Sequence, residues 1–72
     1  MTKIDENRID EMEEYNKKAR YFIGLHETAV EKCNRGEEYE IDDILSPGEL
    51  GEYRMKISAN CSEISRLRRG YE

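Results

Sequence analysis

The sequence predicts an all-α fold, an antiparallel helical hairpin, and three observations carry that prediction. Apolar residues recur at alternating steps of three and four through two long tracts. Gly36 and the Leu45-Ser46-Pro47 step punctuate the chain between them. The charges are sorted into blocks that one antiparallel pairing brings together. No stretch shows the period-two alternation of a half-buried strand.

The first helix is expected over about residues 3–35. Its seam reads Ile9, Met12, Asn16, Ala19, Ile23, His26, Val30 and Cys33, more than three heptads of one face. Thr2 with Asp5 three residues on forms a capping pair at its start, and Gly36 supplies the left-handed position that ends it. At about 1.5 Å per residue such a helix is roughly 50 Å long. Residues 36–46 are acidic, lack a helical stripe and read as the loop, with one short turn tucking Ile41, Ile44 and Leu45 onto the helices. Ser46 as N-cap, Pro47 at the first helical position, Glu49 closing a capping box and Leu45 stapled to Leu50 together fix the next start. The second helix then covers about residues 47–69, with Leu50, Tyr53, Ile57, Asn60, Ile64, Leu67 and Tyr71 on its seam and Gly70 as its terminal cap.

Charge placement is an independent check on this topology. Residues 1–14 carry a net −4, residues 53–72 a net +3, and the stretch 37–52 has seven acids and no base beside Lys32 and Arg35. Antiparallel packing sets these blocks against one another. Exposed pairs of this kind are worth only a few tenths of a kcal/mol each, so they choose register and do not hold the fold.

The chain has 72 residues, 40% of them charged, with a net charge of −5. That length allows a single domain, 1–72, and a domain so small buries only about 60% of its unfolded surface. The first helix also carries apolar residues beyond its seam, Tyr15, Phe22 and Ala29 with Tyr21 and Leu25, a face wider than one partner helix covers. The expectation is therefore a homodimer, two hairpins forming a four-helix bundle. Its core or oligomer seam is drawn from Met12, Asn16, Ala19, Phe22, Ile23, His26, Val30, Ile57, Asn60, Ile64 and Leu67. With the turn placed at Gly36, residues near Met12 face Tyr71, and residues 1–11 project as an acidic helical arm. Asn16 and Asn60 either pair with each other or across a symmetry axis, fixing register and oligomer state, or sit at the edge of the core facing water. No apolar run long enough for a membrane span and no secretory apolar segment is present, so a cytoplasmic protein with no membrane partner is expected.

Little here points to catalysis. His26, Cys33 and Cys61 are too few and too scattered for a metal site, and Cys61, expected level with Phe22 or Ile23, is out of disulfide reach of Cys33. No P-loop, dinucleotide fingerprint or calcium loop occurs. The reading is a non-enzymatic protein without metal or cofactor. Glu11, Glu13 and Glu14 form an acidic face for a protein partner, and such short charged chains are common among phage and mobile-element proteins that inhibit a host factor. The function expected is a small regulatory protein that binds and modulates another macromolecule. The alternative is an oligomer that binds or sequesters a nucleotide-like phosphorylated small molecule in pockets between chains, near Lys17, Lys18, Arg20, Arg66 and Arg69 with Tyr15, Tyr21 and Tyr71 interleaved. An extended nucleic acid is not expected, because the acidic ends repel it.

Overall fold

In the computed structural model, which describes residues 2–70, two helices pack antiparallel: α1 over Lys3–Asn34 and α2 over Pro47–Arg69, joined by a loop with one 3-10 turn, Ile41–Asp43. The seam position expected at Tyr71 lies outside the described residues. The molecule is a rod of 51 × 17 × 16 Å, and no strand occurs among the described residues.

The local signals act where the sequence places them. Thr2 Oγ1 accepts the Asp5 N–H at 3.2 Å, and Ser46 Oγ accepts the Glu49 N–H at 3.2 Å with Pro47 in the first turn behind it. Gly36 takes φ 77°, and the bonds Glu37 N–H to Lys32 C=O at 2.9 Å and Gly36 N–H to Cys33 C=O at 3.1 Å close a Schellman motif. A side chain at position 36 would be strained there, whereas Gly70 ends α2 in the ordinary right-handed conformation.

The register differs from the expected one. Asn60 Nδ2 donates to Asn16 Oδ1 at 3.1 Å, which sets Met12 nearly level with Ile64 and displaces the pairing by about 10 Å from one that faces Met12 with Tyr71. The cause is the loop. It does not reverse at Gly36 but runs back along α1, and the Leu45 N–H donates to His26 Nδ1 at 2.9 Å. α2 thus begins about two turns before the end of α1, and the overhang falls at the loop end.

Three expectations change with it. Of the span 1–11 expected to project as an arm, Arg8 and Ile9 are engaged with the hairpin, Ile9 being 4% exposed and Arg8 bonding Glu63 of α2 at 3.2 Å, while Ile4 is exposed. Cys61 lies beside Asn16 and Arg20, not Phe22 or Ile23. Near the loop Ala29 is buried while Val30 and Cys33 are exposed, because the returning loop lies against that side of α1. Ile44 and Leu45 are half-buried as cover, but Ile41 points to solvent.

Candidate functional site

Two antiparallel helices have two broad faces, and residues seven apart on each helix separate cleanly onto them. Between the faces runs the seam of Ile9, Met12, Asn16, Ala19 and Ile23 against Tyr53, Ile57, Asn60, Ile64 and Leu67. Only Ile9, Asn16, Ala19, Ala29 and Ile64 of the described residues are buried, and none is closed off completely. Asn16, 3% exposed, pairs with Asn60, so the first alternative for these residues holds. Its carboxamide is oriented by that bond, which leaves Nδ2 to donate to Cys61 Sγ at 3.6 Å.

The first face is aromatic. The Tyr15 and Tyr53 ring centroids lie 6.5 Å apart, Phe22 stacks on Tyr53 at 6.1 Å, and Tyr21 meets Phe22 edge-on at 5.8 Å. Lys56 Nζ stands 5.6 Å from the Tyr15 ring centroid. Burial, reinforced by Glu52 and Tyr53, raises the Tyr15 phenol above its ordinary pKa. Much of this cluster still meets water, Phe22 being 42% and Tyr21 64% exposed. On the outer side of α2, turned away from Tyr53, is a shallow apolar depression of about 500 Å³ lined by Gly48, Gly51, Glu52, Met55, Lys56 and Ala59.

The second face is polar. Its groove, about 400 Å³, is lined by Glu13, Asn16, Arg20, Cys61, Ser65 and Arg68. Arg20 Nη2 donates to Cys61 Sγ at 3.7 Å, and Arg68 is ion-paired with Glu13. Glu13 is therefore engaged within the chain, and the acidic trio divides: Glu11 and Glu14 lie with Asp10 around Tyr15 and Lys18 on the other side.

Within one chain the five expected anion-binding bases do not form one cluster. Arg20 lines the groove, Lys18 belongs to the Tyr15 side, and Arg66 is bonded to Glu63, which holds the Glu63 carboxyl below its ordinary range. Lys17 and Arg69 are exposed, and neither lines that groove. Arg68, absent from that set, lines the same groove as Arg20, because it lies on the groove side of α2 while Arg66, two residues away, lies on the other. Among the described residues no three His, Cys, Asp or Glu side chains converge as metal ligands, and no helix is long and apolar enough to cross a membrane.

The loop end forms a third region. Tyr39 lies against Cys33, and that hydrogen bond raises the phenol above its ordinary pKa. Among the described residues Glu37 is the one acid of the seven in 37–52 that forms an ion pair, with Arg35 at 3.0 Å. The chain matches no known protein family, curated protein or solved structure.

Proposed function

We propose that this protein acts by association and not by catalysis: its hairpins pair into a four-helix bundle, and the bundle binds and modulates a basic macromolecular partner through the acidic loop end. The observation that carries this reading is the loop itself. Four acids of the loop, Glu38, Glu40, Asp42 and Asp43, followed by Glu49 and Glu52 at the start of α2, have no ion-pair partner among the described residues. Uncompensated charge of one sign steers encounter with a surface of the other and makes the affinity fall with salt. The test is capture from a lysate of the source organism by the wild type, by Glu38→Lys/Glu40→Lys/Asp42→Lys and by Glu11→Lys/Glu14→Lys. A stoichiometric partner lost with the loop reversal and released as salt rises supports the reading. Capture indifferent to both reversals and to salt rejects it.

A further inference from the structure

The loop whose path sets the helix register is tied to α1 through an imidazole. The Leu45 N–H donates to His26 Nδ1 at 2.9 Å. A backbone amide can only donate, so Nδ1 carries no proton there and the ring is the neutral tautomer with its hydrogen on Nε2. A second proton turns Nδ1 into a donor, and two N–H groups then face each other with no acceptor between them. The bond exists only while the imidazole is neutral. His26 is half-buried, so protons reach it from solvent, and it is the sole histidine of the sequence. Histidine is the side chain that ordinarily changes charge between about pH 5 and 8.

Among the described residues two hydrogen bonds join the stretch 38–45 to α1, this one and Tyr39 against Cys33. They hold opposite ends of the stretch, and Leu45 is the end that leads into the Ser46 cap of α2. Between them the bonds are local, Asp43 N–H to Glu40 C=O and Ile44 N–H to Ile41 C=O, both at 3.1 Å. The charged groups at this level come from all three elements. On α1 the positions one turn either side of His26 are uncharged, and its neighbour Glu27 is paired with Arg54 of α2 at 3.6 Å. The Asn16 and Asn60 pair sets Leu50 level with His26, which brings Glu49 beside it and Tyr53 one turn on. The loop brings Asp42 and Asp43, three and two residues ahead of Leu45. With Arg54 engaged, the carboxylates of Asp42, Asp43 and Glu49 are the groups a protonated ring can pair with. Pairing with any of them does not restore an acceptor to Leu45, so the proton that charges the ring unties the loop.

We propose that His26 is a pH-dependent latch: when its imidazole takes up a proton, the loop end at Leu45 is released from α1 while the two helices stay paired. The seam is untouched, because the Asn16 and Asn60 carboxamides and the apolar residues around them do not titrate. The released segment keeps its half-buried Ile44 and Leu45 and its tether at Tyr39, so the change is a local opening and not unfolding. It is the segment that carries the loop acids, and acidification therefore loosens the surface named in the proposed function. The latch stands whether or not that surface binds a partner.

Nuclear magnetic resonance on the full chain, titrated from about pH 8 to 5.5, tests this in the range where histidine changes charge and carboxylates ordinarily do not. At the upper end the imidazole nitrogen shifts should report the tautomer protonated at Nε2. As the ring is protonated, amide-exchange protection at Leu45, corrected for the intrinsic pH dependence of exchange, should fall at least about fivefold with the same midpoint. Protection at Ile57 and Ile64 and the helical circular dichroism should hold. His26→Ala and His26→Asn have no ring to protonate, and both should give a Leu45 protection without that step. Leu45 protection that stays constant while the ring is protonated overturns the latch, as does a neutral ring protonated at Nδ1. A step that persists in both variants overturns it too, by assigning the pH dependence to another group. Loss of protection at Ile57 and Ile64 along with Leu45 overturns the local opening.

Discussion

The two broad faces of the hairpin are built from the same two helices and yet solve opposite problems. On the polar face, chain-internal partners meet one another: Arg68 holds Glu13, Arg20 and Asn16 both donate to Cys61, and the carboxamides of Asn16 and Asn60 close on each other. On the aromatic face, Tyr15, Phe22, Tyr21 and Tyr53 gather into a cluster that the chain leaves half in water. A polar network is complete when its donors find acceptors. An apolar cluster gains in proportion to the area removed from water, so it is stabilised further by whatever covers it. The difference leaves one side internally satisfied and the other with apolar area still open to water.

The largest expected effect breaks the polar side. Asn16→Ala removes the acceptor of Asn60 and leaves a void on a buried seam, a loss of about 2–3 kcal/mol read from urea unfolding. Replacing both residues, Asn16→Leu with Asn60→Leu, should recover most of that loss, since two apolar partners leave no stranded amide. A double variant as unstable as the single one would show that the pair is not acting as a unit.

Next comes the aromatic side. Phe22→Ala gives up a ring pair on a half-exposed surface, and the monomer should lose about 1–2 kcal/mol, less than the Asn16 variant despite the larger side chain removed. A loss above that of Asn16→Ala in a strictly monomeric sample would invert the comparison.

A smaller effect, about 1 kcal/mol, is expected where the loop is tied to α1. His26→Ala removes the acceptor of the Leu45 N–H, and amide exchange at Leu45 should quicken before global stability shifts much. Unchanged exchange there would mean that the loop returns along α1 without this bond.

The smallest concerns Glu63, between Arg66 and Arg8. The Arg66 hydrogen bond, then the charges of Arg66 and Arg8, hold its folded pKa below the unfolded value. Its stabilising contribution is therefore present above the ordinary carboxylate range and is lost as pH falls through the depressed folded pKa. Glu63→Gln should flatten the acid limb of the stability profile slightly, and added salt should do the same. An acid limb identical in the two proteins would remove Glu63 from the account.

How much of this was legible beforehand depends on the range of the forces involved. Both helices, their caps at Thr2 and Ser46 and the left-handed Gly36 follow from contacts within four or five residues, so the order of residues specifies them. The Asn16 and Asn60 pair was visible as polar residues on two seams, but whether they met depended on register. Register in turn rested on where the loop reverses, and the His26 bond to Leu45 spans nineteen residues with no local motif to announce it. For that reason Ile9 is buried where an arm is expected to project.

By itself, then, the sequence determined two amphipathic helices, their ends and an apolar face too wide for a single partner, because periodicity and capping are short-range. Only the tertiary structure decided the register, the sorting of that surplus into one aromatic face and one polar groove, and the engagement of Glu13 within the chain. These follow from the path of the returning loop, since a slide of two turns along a seam keeps the apolar stripes facing while changing nearly every pair across them.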